Sequence, residues 1–558
     1  MKAVLEALLQ DVVSEAQAQG KLKKGTPAPI VLEVPKRESH GDFATTLPLL
    51  LAKSEGKSPR EVASMLVSLL QGRSPLVHKI EIAGSGYINF FLKRECWYQA
   101  LLEIVQKGEE YGRSSIGKGK SVQIEFVSAN PTGPLHVAHG RAAALGDALS
   151  RLLQAVGYRV DREYYINDVG GQMTLLGQST YLRYRELFGE KVVLPDEGYK
   201  GEYVIEIAKA VKEGEGDRYL EEPAESHLSF FTRYSYQTIL GWIRKDLDTF
   251  GVHFDRWFPE EEIYRGKKID AVFTLLKSKG VLYEDQGALW VETTRYGDDK
   301  DRVAMRRNRQ MTYFASDIAY HQDKFKRGYD RLINIWGADH HGYIARIKAA
   351  VMAMGYPADR LSILTHQLVN LMRGGKPVPM SKRSGDFVTL REVVEEVGVD
   401  ATRFFFLMRR SGSSLDFDLE LAKKASNENP VYYVQYAHAR LCSIERVATE
   451  RGWDVAEEVG RVTVKDLALL TLPEEQALIK QASLYPDLLL SAAAELEPHR
   501  LTFYLQDLAG MLHRYYFGQR IITEDTSLTK ARLALMTAVR IVLKSGLCLL
   551  GVRAPEQM

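Results

Sequence analysis

The spacing of hydrophobic residues changes along the chain and divides it into segments of different predicted structure. Residues 122–127 form a short apolar run, which predicts a buried strand, and a loop rich in proline and glycine follows. From residue 138 to residue 156 the apolar side chains fall on one stripe at helical spacing. Residues 158–168 then predict a second strand. The order strand, loop, helix, strand is typical of the opening of a doubly wound parallel sheet.

The first 110 residues show a different mixture of patterns. An amphipathic helix at 1–24 precedes a strand, a turn and another helix, and residues 78–92 alternate like a strand around a Gly-Ser-Gly turn. Residues 107–122 are rich in Gly, Ser and Lys, as linkers are. We therefore predict an N-terminal α+β domain at 1–110.

Charged helical segments at about 180–300 predict an insertion into the sheet domain. The strand–helix rhythm returns at 311–376, and from residue 388 onward the pattern is helical. The predicted fold class is thus α/β, with a doubly wound (Rossmann-type) parallel-sheet domain at 118–390 that carries the insertion. The α+β domain precedes it, and an all-α domain at 391–558 follows.

Composition narrows the class of protein without identifying a partner. The chain has 558 residues, of which 45% are hydrophobic and 26% charged, as in soluble multidomain proteins. A net charge of +2 neither demands nor excludes a nucleic acid. No apolar run approaches the ~18 residues that span a bilayer, and the N-terminus lacks a signal-peptide pattern, so a cytoplasmic protein with no membrane partner is expected. The three cysteines, Cys96, Cys442 and Cys548, form no C-x-x-C pair, which argues against a disulfide scaffold or a zinc ribbon.

Two histidines, His136 and His139, lie where the predicted loop enters its helix. Three roles compete for them: zinc ligands, core packing, or contacts to phosphate. H-E-x-x-H is absent and no Glu or Cys lies at a suitable spacing, which disfavours zinc. The helix N-terminus at the end of a parallel strand favours phosphate, because its N–H groups and dipole attract anions.

A second motif supports the phosphate interpretation. Residues 376–387, KPVPMSKRSGDF, form a Lys/Ser-rich loop ~240 residues after the first, and such a loop can close over a triphosphate. HVAHG (136–140) resembles the HIGH signature of class I aminoacyl-tRNA synthetases, and MSKRSG resembles their KMSKS loop. Alone each motif is weak, but together and in this order on a sheet domain they are specific.

Longer strings resemble arginyl-tRNA synthetases over nearly the whole chain. They are IEFVSANPTGPLHVAHG, YYINDVGGQ, YFASDIAYH, WGADHHGY, MSKRSGDFVTL, NENPVYYVQYAHAR and, near the N-terminus, GSGYINFFL. The resemblance implies that arginine and ATP, with Mg²⁺, give arginyl-adenylate, and that the arginyl group passes to the 3′-terminal adenosine of tRNA-Arg. It also implies a monomer and no structural zinc.

The resemblance assigns residues to the ATP site. His136, His139 and Lys382 are expected to be catalytic by stabilising phosphate charge, and Gly140 to lie against the adenine. Two features depart from the family pattern: Ala138 replaces a glycine, and Pro379 replaces the first lysine of KMSKS. The remaining expected ATP contacts are Gly337, Asp339, His340, Met380 and Ser381.

The resemblance also assigns an arginine pocket and a tRNA surface. A guanidinium is a planar cation with five donors and needs acids around it. The expected arginine-binding residues are Glu125, Ser128, Asn130, Gln172, Tyr313 and Asp317. In the family the helical C-terminal domain binds the anticodon and the N-terminal module helps to read the D-loop. The expected tRNA-binding residues are Tyr87, Asn89, Tyr436, Arg440 and Tyr515.

Two alternatives stay open at this point. A class I synthetase for another amino acid would share the motifs, although the cysteinyl type would want zinc ligands that this chain lacks. A non-catalytic tRNA-binding paralogue would share the fold, but erosion of His136, His139, Lys382 or the acidic pocket would be expected, and all of these are present.

Overall fold

The chain is described by a computed structural model that covers all residues except 24, 26–29, 221–223 and 379–387, and the side chains of 224–226. It divides into two compact units, each assembled from separated stretches of sequence. The first unit contains residues 1–111, 445–487 and 515–541; the second contains 112–444, 488–514 and 542–558. Among the described residues, no helix combines the length and the apolar character that a membrane crossing needs.

The N-terminal part of the first unit is a small antiparallel sheet with helices, as the sequence patterns predict. Its strands are β1 (Leu32–Glu33), β2 (Phe43–Thr45), β3 (Val77–Ala83) and β4 (Tyr87–Leu92), in the order β1-β2-β4-β3. Its helices are α1 (Lys2–Ala18), α2 (Leu47–Glu55), α3 (Pro59–Leu70) and α4 (Arg94–Lys107), with 3₁₀ turns at Glu38–His40 and Gly108–Glu110. Ser58 accepts a hydrogen bond from the Glu61 N–H, which caps α3.

The second unit begins the α/β part of the chain. Its strands are β5 (Ser121–Glu125), β6 (Arg159–Ile166), β7 (Arg256–Pro259), β8 (Leu282–Asp285), β9 (Ala288–Val291), β10 (Arg302–Met305), β11 (Arg331–Gly337), β12 (Leu361–His366), β13 (Val369–Arg373), β14 (Lys376–Pro377) and β15 (Leu415–Asp418). Its helices as far as residue 423 are α5 (Val137–Ala155), α6 (Gly171–Glu186), α7 (Glu202–Glu215), α8 (Ala224–Thr249), α9 (Glu261–Arg265), α10 (Lys268–Ser278), α11 (Tyr313–Lys326), α12 (Ile344–Ala353), α13 (Leu390–Val397), α14 (Val399–Leu407) and α15 (Leu419–Lys423). Short 3₁₀ turns lie at Thr294–Tyr296, Ala338–Tyr343 and Ala358–Arg360.

Five parallel strands form the central sheet, in the order β12-β11-β5-β6-β7. The chain enters at β5 in the middle, adds β6 and β7 on one side, and then returns to add β11 and β12 on the other. A parallel sheet whose strand order reverses in this way opens a crevice at the carboxyl ends of its central strands. The crevice therefore lies beyond the ends of β5 and β11.

The doubly wound α/β class is confirmed, with two local corrections. The predicted insertion at about 180–300 is not continuous, because β7 pairs with β6 in the central sheet. Strands β8, β9 and β10 form a separate antiparallel sheet within the later part of that region. A strand, β15, also lies in the segment predicted to be all helical, and it pairs in parallel with β13. Short strands of four residues give too little alternation to be recognised from sequence.

The C-terminal part of the chain is helical among its described residues. Its helices are α16 (Pro430–Glu450), α17 (Val455–Gly460), α18 (Val464–Leu467), α19 (Pro473–Ser483), α20 (Tyr485–Glu495), α21 (His499–Gly518) and α22 (Thr526–Leu549). Both compact units draw on these helices, so the boundaries of the three domains stay a prediction.

Candidate active site

The loop that leaves β5 is held in an uncommon backbone conformation. Val127 has φ +67° and Ser128 has φ +39°, in the left-handed region that non-glycine residues rarely adopt. Such residues cost ~1–3 kcal/mol each and persist where surrounding contacts hold them. Here the Ser128 Oγ donates to Glu125 Oε1 at 3.1 Å and accepts from the Tyr165 N–H at 3.1 Å. The loop is therefore fixed between the carboxyl ends of β5 and β6.

The next residues of this loop contact α6 and α7. The Asn130 Nδ2 donates to Gln172 Oε1 at 2.9 Å, which brings together two residues expected to bind arginine. The Tyr203 hydroxyl donates to the Thr132 carbonyl at 2.8 Å, and its ring packs over Gly133. Part of the predicted insertion thus supports the loop of the first motif.

His136 and His139 form the N-terminal cap of α5. The Ala138 N–H donates to Nδ1 of His136 at 3.2 Å, and the His136 N–H donates to Nδ1 of His139 at 3.3 Å. The two rings stack with their centroids 3.7 Å apart. Since each Nδ1 accepts, the neutral tautomer carries its proton on Nε2. No group of three or more His, Cys, Asp or Glu side chains that could hold a metal occurs in the described part of the chain.

Most of the second motif, residues 379–387, lies outside the described residues, and with it Pro379, Met380, Ser381 and Lys382. The residues that follow it are described. Thr389 pairs with His136 in an antiparallel bridge, and the Leu390 N–H donates to the Leu135 carbonyl at 2.7 Å. The chain therefore leaves the second motif directly beside the first.

Gly140 has a packing role in this structure. It is buried, and a Cβ placed on it would lie 2.5 Å from Leu390 Cδ1 and 2.9 Å from Phe406 Cε2. The space beside Gly140 is filled by these two side chains. Its small size lets α13 and α14 approach α5, and the contact of Gly140 with adenine stays a prediction.

Asp317 lies among other acidic and phenolic groups at the same edge of the sheet. Its Oδ2 accepts a hydrogen bond from the Tyr343 hydroxyl at 2.5 Å. Burial, with the nearby charges of Glu125 and Glu260, raises the Asp317 pKa to about 7, although the hydrogen bond from Tyr343 lowers it. Burial likewise raises the pKa of Glu260, which is 3% exposed. Tyr313, one helical turn before Asp317, is 76% exposed. This edge of the site has a surplus of acids, as a cationic ligand requires.

A buried polar layer beneath these acids was not anticipated from the sequence. Lys324 Nζ donates to Glu125 Oε2 at 2.5 Å and to Asn334 Oδ1 at 3.1 Å. The Asn334 amide in turn contacts His321 Nε2 at 2.9 Å, and Nδ1 of His321 contacts the Asp317 carbonyl at 2.8 Å. A signal was present: Asn334 interrupts the apolar strand RLINIWG, and Lys324 lies two helical turns after Asp317.

The residues expected near the ATP ribose lie just past the end of β11. Gly337 is the last residue of that strand, and Asp339 and His340 lie in the 3₁₀ turn that follows. Their side chains are 82% and 61% exposed, with His340 Nε2 3.6 Å from Asp339 Oδ2. These groups lie past the carboxyl end of the strand beside β5, where a ligand in the crevice can reach them.

The residues expected to bind tRNA differ in accessibility. Tyr87 is 41% exposed, whereas Asn89 is 3% exposed, because it lies within β4 between β2 and β3. Tyr515 is 1% exposed and donates its hydroxyl hydrogen bond to Glu475 at 2.9 Å. Direct base contacts by Asn89 and Tyr515 therefore do not fit this structure, because the type of residue in the sequence does not show whether an aromatic or amide side chain is buried.

Tyr436 and Arg440 occupy a half-buried aromatic cluster. The Arg440 guanidinium donates to the Tyr436 hydroxyl at 3.0 Å and lies 4.6 Å from the centre of its ring. It also contacts His513 Nδ1 at 2.9 Å, and Tyr432 stacks on Tyr436 with 5.9 Å between centroids. Rings and a guanidinium plane of this kind can stack with unpaired bases.

The switch-point crevice and the histidine-capped helix, with Thr389 and Leu390 paired beside it, fit the catalytic domain of a class I tRNA synthetase. The family model described as "tRNA synthetases class I (R), catalytic domain" matches residues 100–405, more than half of the chain. An "Arginyl tRNA synthetase N terminal domain" matches residues 3–92, and a "DALR anticodon binding domain" matches residues 434–558.

Relatives narrow the class to one family. An arginine--tRNA ligase from Citrifermentans bemidjiense is 52% identical over 559 residues, which is 100% of both chains. Arginine--tRNA ligase 1 from Halalkalibacterium halodurans is 45% identical, again over 100% of both chains. The chain therefore belongs to the arginine--tRNA ligase family of ligases. The Thermus thermophilus arginyl-tRNA synthetase structure has the same fold, with a TM-score of 0.79, 24% identity and 100% of both chains covered.

Proposed function

We propose that this chain activates arginine with ATP and transfers the arginyl group to the 3′-terminal adenosine of tRNA-Arg. The observation that carries the proposal is the arrangement of one crevice. The surplus of acids around Asp317 and the imidazoles at the start of α5 lie beyond adjacent strands of one sheet. A cationic amino acid and the phosphates of ATP can thus be held side by side, as the first reaction requires.

In the first step, an oxygen of the arginine carboxylate attacks the α-phosphorus of ATP. The bond from the α-phosphorus to the bridging oxygen breaks, and pyrophosphate leaves with the bonding electrons. The Nε2–H groups of His136 and His139 donate to the phosphate oxygens as their charge grows, supported by the N-terminus of α5. Lys382, outside the described residues, is assigned the same role on the pyrophosphate side.

On the arginine side, Asp317 accepts a forked pair of N–H bonds from the guanidinium, and Tyr313 covers it. Asn130 and Gln172, already joined by a hydrogen bond, orient the α-amino and carboxylate groups. Ser128 acts through Glu125, because its hydroxyl already donates to that carboxylate. In the second step, a ribose hydroxyl of the tRNA attacks the arginyl carbonyl carbon and AMP leaves.

The proposal extends to Mg²⁺, the assembly state and the compartment. The described residues contain no group of three or more metal-ligating side chains, so Mg²⁺ would enter bound to ATP. When bound there it neutralises part of the phosphate charge. The tRNA contacts assigned are Tyr87, Tyr436 and Arg440, and we infer a cytoplasmic monomer.

The test is arginine-dependent exchange of pyrophosphate into ATP, with and without tRNA-Arg, compared across the amino acids and citrulline. Citrulline is the neutral analogue of arginine, so an acidic pocket should reject it. We expect exchange with arginine alone, and stronger exchange when tRNA is present. Exchange with another amino acid would agree with a class I synthetase but would refute the assignment of the pocket to arginine. Binding of tRNA-Arg without any exchange would indicate a non-catalytic tRNA-binding protein instead.

A further inference from the structure

A fully buried lysine lies directly beneath the acids of the site. Lys324 has no exposed side-chain surface, and its Nζ is 2.5 Å from Glu125 Oε2 and 3.1 Å from Asn334 Oδ1. The same ammonium lies 4.1 Å from the centre of the Tyr320 ring. An ammonium removed from water is costly unless it is paired and hydrogen-bonded, and these three contacts meet that need.

Glu125 is held on both of its oxygens. Oε2 accepts from Lys324, and Oε1 accepts from the Ser128 hydroxyl, which the strained backbone at Val127 and Ser128 places there. The carboxylate is 6% exposed. Its position at the end of β5 is thus set by partners from α11 and from the loop of the first motif.

A second chain of contacts links Lys324 to Asp317. Lys324 donates to Asn334 in the middle of β11, Asn334 contacts His321, and Nδ1 of His321 contacts the main-chain carbonyl of Asp317. Lys324 therefore joins the two acids of the pocket, one through its side chain and the other through its backbone. A buried ion pair is weak evidence for a role in stability, since apolar side chains of the same size often stabilise as well.

We propose that Lys324 is a positioning residue for arginine recognition. Without touching the substrate, it compensates the charge of Glu125, aims that carboxylate, and fixes the start of the network that supports Asp317. The inference rests on the proposed function, because it concerns the same pocket. Helix α11 would then support arginine affinity in two ways: through Asp317, which contacts the substrate, and through Lys324, which lies beneath the pocket.

The first experiment, Lys324→Met, removes the charge and keeps an unbranched side chain of nearly the same length. In tRNA-Arg aminoacylation we expect the KM for arginine to rise about tenfold and the KM for ATP to stay within about twofold. Lys326→Met is the matched control, since Lys326 is exposed on the same helix and should leave both constants unchanged. An unchanged arginine KM in Lys324→Met would overturn the proposal.

A second experiment separates positioning from general structure. In a Glu125→Gln background there is no carboxylate for Lys324 to position, although its contact with Asn334 remains. Adding Lys324→Met should then change the arginine KM by less than about threefold, or lower it by removing an unpaired cation. A tenfold further loss in that background would show that Lys324 acts independently of Glu125. If Lys324→Met fails to fold and the double variant also fails, the role is structural and the proposal is wrong.

Aminoacylation by the parent enzyme separates a failure of this inference from a failure of the proposed function. Absence of arginine-dependent charging by the parent would refute the function itself. Normal charging by the parent, with equal arginine constants in Lys324→Met, would refute only the role of Lys324. Equilibrium binding of arginine by calorimetry, without ATP, gives the same comparison independently of turnover.

Discussion

Arginine binding should depend on pH through one carboxyl group, Asp317. Burial raises its pKa to about 7, and the charges of Glu125 and Glu260 add to this, against the hydrogen bond from Tyr343 and the charge of Lys324. At neutral pH the empty site thus holds Asp317 partly protonated. A bound guanidinium favours the ionised form, so binding should release a proton.

The size of the effect follows from the pKa. With a value of about 7, roughly one tenth of the molecules have Asp317 ionised at pH 6 and roughly nine tenths at pH 8. Because the apparent Kd equals the intrinsic Kd divided by the competent fraction, the arginine Kd should fall about tenfold between pH 6 and pH 8. Arginine keeps its positive charge over this range.

The assay is calorimetric titration of arginine at pH 6, 7 and 8, in two buffers with different ionisation enthalpies. The difference in apparent enthalpy between the buffers counts the protons released. Asp317→Asn should bind weakly and lose the pH dependence, whereas Glu284→Gln, an exposed acid on β8, should retain it. A flat arginine affinity in the parent, with no proton release, would refute the assignment of Asp317 as the titrating ligand.

Two further predictions concern the helix of the first motif. Gly140→Ala should destabilise the protein by ~1–3 kcal/mol in urea unfolding and lower activity, because its Cβ collides with Leu390 and Phe406; Gly241→Ala, in an exposed and open position of α8, should be neutral or stabilising. Arg403→Met should cost ~3–5 kcal/mol, because it removes the fully buried guanidinium beside Asp147 and the N–H donors to the Phe250 and Leu550 carbonyls. Arg151 still pairs with Asp147, and adding Asp147→Asn should recover part of the loss. Equal stability of Gly140→Ala and the parent, or no recovery in the double variant, would contradict these explanations.

The central sheet could be predicted from the sequence because its elements are long and regular. The strand predicted at 122–127 overlaps β5, which ends at Glu125, and the strand predicted at 158–168 contains β6. The elements that could not be predicted are short or interrupted. Strand β7 has four residues between two charged helical regions, and its place in the sheet depends on pairing with β6, which is distant in sequence. Pairing partners of this kind are decided by tertiary packing and leave no periodic signal.

In the site, too, features set by neighbouring residues could be predicted, whereas those that depend on distant parts of the chain could not. The loop after β5 and the start of the helix near His136 are local, and both could be predicted from the sequence, whereas the capping by His136 and His139 could not. The side chains that complete the pocket come from elements far along the chain: Lys324 from α11 and Glu260 after β7. Burial also could not be read from sequence at Asn89, where an amide on an alternating strand looks the same whether it faces solvent or the interior.

The two histidines at the start of α5 can serve both as a helix cap and as the proposed phosphate contacts. Capping uses Nδ1 of each ring as an acceptor for a backbone N–H, and this fixes the proton on Nε2. Capping alone would be met by Ser, Asp or Asn, whose shorter side chains also cap helices well. An imidazole accepts from the backbone with one nitrogen and presents an N–H donor to an anion with the other, and its ring places that donor farther from the cap than an Asn amide does. Histidine at His136 and His139 therefore fits the proposed phosphate contact at this helix end, with the cap orienting the two rings toward it.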